Sequence, residues 1–169
     1  MRWLAPATAL LITLATSVHA EENPACPQFK WPLATEKSWF DTGKLEGLAS
    51  GATVATLTEG TFTVTLKPAT EVPFKLKPEG KPKADKPLGA IISFGAVKAP
   101  GRYQVTLSDE AWIDIVQADG YRPSLEFSGV HGCPGLRKSV RFEFTAEPLV
   151  LELSGASAPE VKVAIRPVQ

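Results

Sequence analysis

From about Ala52 to its C-terminus the chain alternates apolar and polar residues with a period of two, and this constrains the fold more than any other feature. Successive side chains of a β-strand point to opposite faces, so such alternation marks strands with one buried face and one wet face. The cleanest run is Thr61 to Lys67, where Phe62, Val64 and Leu66 share one side and Thr61, Thr63 and Thr65 the other. Val72, Phe74 and Leu76 repeat the pattern. So do Tyr103 to Leu107, Val140 to Phe144, Leu149 to Leu153 and Val161 to Ile165. Leu88 to Phe94 and Ala111 to Val116 are more continuously apolar, as strands covered on both faces are, and are expected in the middle of the sheets. Turn chemistry separates the runs, at Glu59-Gly60, Ala99-Pro100-Gly101, Asp119-Gly120, Cys133-Pro134-Gly135 and Gly155 to Pro159. The expectation is an all-β domain over residues 51–169, an antiparallel β-sandwich or jelly roll of about nine or ten short strands. No segment carries a sustained helical stripe, although Thr35 to Phe40 has room for one helical turn.

The first twenty residues read differently. Arg2 gives a short positive start, Leu4 to Val18 an apolar stretch, and Val18-His19-Ala20 a small-residue cleavage site. These are the three parts of a secretory signal peptide, with cleavage expected near Ala20. Pro6, Thr8, Thr13, Thr16 and Ser17 interrupt the stretch too often for a spanning helix, and no second stretch is long enough. Cys26 lies too far beyond Ala20 to be a lipid-anchored first residue. The expected product is a periplasmic or secreted protein with no membrane span, in which residues 21–50 form an N-terminal extended segment.

Export places both cysteines, Cys26 and Cys133, in an oxidising compartment, where an even count reads as one disulfide. Closing a loop of roughly a hundred residues contributes on the order of 4–5 kcal/mol in the chain-entropy treatment. Such a bond would tie the N-terminal segment to the domain through Cys26. Loss of Arg2 from 18 basic residues against 18 acidic ones leaves the exported chain one charge below neutral. That is no footprint for nucleic acid. Lysines do gather between Lys67 and Lys86 around Glu71, Glu79 and Asp85, and the Pro- and Lys-rich stretch Lys77 to Lys86 reads as a solvated surface loop guarding a sheet edge. An anion-contacting patch is the other reading of the same residues.

Catalytic chemistry is restricted by histidine. His19 leaves with the signal, so only His131 remains. A mononuclear iron dioxygenase site or a multi-histidine zinc site cannot be assembled from one histidine and a disulfide, so no metal and no cofactor are expected. A serine triad around His131, with Ser128 or Ser139, lacks a nucleophile-elbow motif. Asp114 and Glu126 each interrupt apolar or aromatic runs and are the candidate carboxylate pair for a small secreted hydrolase. No phosphate-binding loop, dinucleotide fingerprint or calcium loop is present in the sequence.

The motifs Gly101-Arg102-Tyr103-Gln104-Val105-Thr106-Leu107-Ser108, Ala111 to Ile115, Gly132 to Gly135, Lys138 to Phe142 and Pro148 to Ala156, behind Phe29-Lys30-Trp31, resemble a group of small exported proteobacterial β-sandwich proteins of unknown function. The likeness runs over roughly residues 26–167 and implies a periplasmic location with the two cysteines paired. A looser similarity, in the Gly-x-Tyr-x-Val strand and the Asp-containing strand after it, is to pre-peptidase C-terminal β-sandwich modules. Those modules assist other proteins without catalysis. The favoured reading is therefore a non-catalytic binding or accessory protein whose partner is a small molecule, a carbohydrate or an envelope protein. Tyr121, Arg122, His131 and Arg137, on two loops near the expected disulfide, are its candidate ligand-binding residues, suited to a carboxylate or sugar acid.

Overall fold

The structure, a computed structural model, describes residues 23–82 and 84–168. The signal peptide read from residues 1–20 lies outside the described residues. Two six-stranded sheets pack face to face. Sheet 1 contains β1 (Glu46–Ala49), β3 (Gly60–Thr65), β12 (Glu160–Pro167), β6 (Gly101–Leu107), β10 (Lys138–Phe144) and β9 (Ser124–Gly129), in that spatial order. Sheet 2 runs β2 (Thr53–Val54), β5 (Leu88–Phe94), β11 (Leu149–Ala156), β7 (Trp112–Gln117) and β8 (Gly120–Tyr121), with β4 (Lys67–Pro68) also pairing to β5. The all-β sandwich expected from the alternation is the fold observed.

Its core is the layer between the sheets. Phe62, Val64, Val105, Leu107, Ile113, Ile115, Phe142, Phe144, Leu151 and Val163 are all buried there. Tyr103 and Phe144 stack with ring centroids 4.9 Å apart. β5, β11 and β7 form the interior of sheet 2, as the continuous apolarity of β5 and β7 predicts, while β11, read as an alternating strand, lies between them.

Three features depart from the expected pattern. First, the sheets are mixed: β1 pairs with β3, and β2 with β5, in parallel. The chain crosses from β1 to sheet 2 through Gly51, whose φ of 96° favours glycine, and returns to sheet 1 as β3 in its original direction. Second, Val72 to Leu76 is not a strand. Pro73 and Pro78 cannot donate to a ladder. After a 3-10 turn at Ala69–Glu71 the chain instead lies across the outer face of sheet 2, with Val72 buried and Phe74 against Gly89. Third, the N-terminal segment, expected to be extended, carries a 3-10 turn at Cys26–Gln28 and the two-turn helix α1 (Ala34–Asp41), the latter over the stretch with room for one helical turn.

Both outer faces of the sandwich are thus covered. On sheet 1, Phe29, Trp31, Leu33 and Phe40 form a second apolar cluster with Val130, Leu136 and Ala164. The Cys26–Cys133 disulfide, with Cα atoms 4.8 Å apart, closes this cap onto the β9–β10 loop. On sheet 2, residues 72–82 form a strap. No helix among the described residues is long and apolar enough to cross a membrane.

Candidate functional site

The outer face of sheet 2 holds an unusual pairing. Asp114 on β7 and Glu152 on β11 are direct cross-strand partners in the antiparallel register. Like charges so placed repel, with Cβ atoms about 4.5–5.5 Å apart in such pairs. Both are buried, at 4% and 1% exposure, because the strap lies over them.

The strap binds this pair through its backbone. The Lys75 amide donates to Glu152 Oε1 at 2.6 Å, and the Glu79 amide donates to Asp114 Oδ2 at 3.2 Å. The indole Nε1 of Trp112 donates to Asp114 Oδ1 at 2.8 Å. From β8, the Tyr121 hydroxyl donates to the Lys77 carbonyl at 2.5 Å. Gly80 sits on Trp112 so closely that a Cβ there would fall 2.3 Å from the indole Cγ. The Lys- and Pro-rich stretch read as a solvated loop is therefore specifically docked at its N-terminal end.

Burial pushes both carboxyl groups above their usual range. For Asp114, the hydrogen bonds from Trp112 and Glu79 and the Lys138 charge offset this in part, while the Glu79 charge adds to it. For Glu152, the Lys75 and Leu76 amides offset it and the neighbouring Asp114 adds to it. Tyr121 is pushed up to about 12, by burial first and then by the charges of Asp114, Glu152 and Glu79. Glu152 Oε2 and Ser154 Oγ, two residues apart on β11, are buried without a hydrogen-bond partner.

A second feature lies at the open side of the sandwich. Sheet 1 ends in the six-residue β9, but sheet 2 ends in the two-residue β8, so the inward side chains of β9 have no layer opposite. Phe127 pairs with the core residue Val140 yet is 61% exposed, and Leu125, at the register shift of β9, is 43% exposed. With Trp112, at 44%, they are the exposed large hydrophobics among the described residues. Trp112, Ile113, Ser124, Phe127, Lys138 and Val140 line a recess of about 170 Å³ there. Lys30 Nζ stands 5.1 Å from the Phe127 ring centre and Lys138 Nζ 5.3 Å from that of Trp112, so cations rim an apolar floor.

The four candidate ligand residues fall into two groups. Tyr121 is taken up by the strap, and Arg122 donates from Nε to the Glu143 carbonyl. At the other end of the strands, Arg137 NH2 lies 3.0 Å from His131 Nε2 and pairs with Glu110. The serines proposed to serve His131 are engaged elsewhere: Ser139 Oγ accepts from Trp31, and Ser128 Oγ accepts from the Lys30 amide. Asp114 and Glu126 are not brought together either. Glu126 belongs to β9 of sheet 1 and pairs with Arg141 at 3.0 Å, while Asp114 faces out from sheet 2.

Sequence reasoning missed Glu152, which sits among leucines on the face taken to be wet. Its only signal was a carboxylate in register with Asp114, and the register was not available. No group of three or more His, Cys, Asp or Glu residues that could hold a metal occurs among the described residues. No family model, curated protein or solved structure matches the chain, so geometry alone carries the functional reading.

Proposed function

We propose that the exported chain is a non-catalytic binding or accessory module acting in the periplasm or outside the cell, with the recess between β7 and β9 as its binding surface. The observation that carries this reading is the gathering of the exposed Trp112 and Phe127 with Ile113 and Val140 around one apolar hollow. Monomeric proteins rarely leave contiguous apolar surface uncovered, and pockets that bind small molecules combine an apolar lining with a few polar groups at the rim. Asp114 and Glu152 support the same reading from the other side. Three of their four oxygens accept hydrogen bonds from the indole and from strap amides, so they act as anchors. The disulfide fits an oxidising compartment.

Binding to the folded state raises the melting temperature, so a thermal-shift screen of the mature protein against amphipathic organic acids, aromatic acids and oligosaccharides tests the reading. Phe127→Ser and Phe127→Asp are the test variants, because this lining side chain is exposed and its loss costs little stability. A ligand whose shift disappears in these variants supports the recess. Persistence of the full shift in both variants would sink it.

A further inference from the structure

The strap separates two hollows on one sheet face. On one side, Lys75 and Leu76 form the rim of a hollow of about 600 Å³ whose other walls include Val116, Gln117, Pro148 and Val150. On the other side, Glu79, Gly80 and Lys81 bound a hollow of about 430 Å³ that reaches Trp112, Lys138 and Ser154. Removing the strap would join them into a trough. Its floor would carry Asp114, Glu152 and Ser154, flanked by Trp112 and Tyr121.

What holds the strap down is unusual in its charge balance. Its amides donate to two buried carboxylates that stand opposite each other, and Glu152 Oε2 has no donor at all. Two ionised carboxylates in that position repel each other and lack enough donors, whereas one proton between them removes the repulsion. We propose that residues 72–82 are a pH-operated cover, seated on sheet 2 while the Asp114–Glu152 pair holds a proton and released when both groups are charged, which opens the trough.

The groups facing the pair come from every element packed on it. Glu79 and Lys75 face it from the strap, Tyr121 from β8 and Lys138 from β10. Glu79 and Asp114 oppose ionisation, and the two lysines offset them only in part. The direction follows from linkage. Both carboxyls sit above their usual range when covered and return to it in water, so closing the strap takes up protons. Closure is therefore complete at acidic pH and is lost as pH rises through the raised values.

Amide hydrogen exchange of the mature, oxidised protein, corrected for intrinsic rates and followed from about pH 4 to about pH 9, reads this directly. The expected result is that protection of the amides of Lys75 and Glu79 falls by roughly tenfold or more as pH rises, while staying below that of core amides such as Val105 and Leu151. Glu152→Gln and Asp114→Asn, each neutral and close to isosteric, are expected to flatten that fall. Flat strap protection in the wild type would overturn the proposal. So would strap amides protected as well as the core at every pH, which means exchange only by global unfolding, or an undiminished slope in both variants.

Discussion

The indole Nε1 of Trp31 donates to Ser139 Oγ at 3.3 Å, joining the N-terminal cap to β10 of sheet 1 across 108 residues of chain. Ser139 Oγ in turn lies 2.8 Å from Thr106 Oγ1, and the Arg141 guanidinium stacks 4.1 Å from the Trp31 ring centre. The cap is thus bonded into the sheet as well as tethered by Cys26.

Trp31→Ala is therefore expected to cost about 3–5 kcal/mol, the range for truncating a buried aromatic. Trp31→Phe retains much of the packing and loses the hydrogen bond, an effect of about 0.5–1.5 kcal/mol. Urea denaturation of the oxidised protein measures both. A Trp31→Ala cost below about 1 kcal/mol would mean that the cap contributes little beyond its disulfide.

Beneath the cap, buried Glu36 accepts from Gln104 Nε2 at 2.6 Å and from Arg166 Nε at 2.5 Å through the same oxygen. Removing the cation leaves a buried charge without its partner, and such changes cost about 3–5 kcal/mol. Arg166→Met is expected to destabilise by that amount. The double change Arg166→Met with Glu36→Gln should recover at least half of the loss, because no charge is then stranded. If the double variant were less stable than the single one, Glu36 would be held by something other than Arg166.

How much of this could be read from the chain depends on which information alternation carries. Phe62, Val64 and Leu66 announced a strand and its buried face, because a period of two needs no partner to be visible. Phe74 fits the same pattern but rests on the outside of sheet 2, since Pro73 and Pro78 deny it a ladder. Glu152 alternates with leucines and so reads as wet. It is buried only because a strap bonded to it from Lys75, 77 residues earlier, folds over it, a contact that no local pattern encodes. Phe127 is the converse case: it pairs with the core residue Val140, and only the shortness of β8 leaves it uncovered. The parity of the cysteines, by contrast, identified the disulfide outright.

Gly80 gives a direct test of how tightly the strap is docked. A methyl group there would fall 2.3 Å from the Trp112 Cγ and 2.6 Å from its Cβ and Cδ2, while the ring is held through its Nε1 bond to Asp114. Gly80→Ala should therefore push the strap off its seat, at a cost of about 1–3 kcal/mol. Exchange at Lys75 and Glu79 should rise while core amides such as Val105 keep their protection. Unchanged exchange at both strap amides would show that the indole yields in place of the strap.

Tyr121 completes the docking and supplies an alkaline signature. Its neutral hydroxyl donates to the Lys77 carbonyl, and ionisation removes that donor and places a phenolate near Asp114, Glu152 and Glu79. Burial and those charges push it up to about 12, from an ordinary value of 10.0. While the strap is seated, the folded state therefore holds this proton more tightly than the unfolded chain does. In a Glu152→Gln background, where the pair does not carry two charges and the strap stays seated at alkaline pH, this contribution to stability is whole below the ordinary value and is lost as pH rises through the raised one. Adding Tyr121→Phe to Glu152→Gln should lower stability at neutral pH by about 0.5–1 kcal/mol, the value of one modest hydrogen bond, and the double variant should lose less stability above about pH 10 than Glu152→Gln alone. In an ultraviolet titration, the difference between these two proteins isolates one phenolate. Ionisation of that phenol near its ordinary value in Glu152→Gln would show that the strap does not cover Tyr121 in solution, and the docking of residues 72–82 would have to be redrawn.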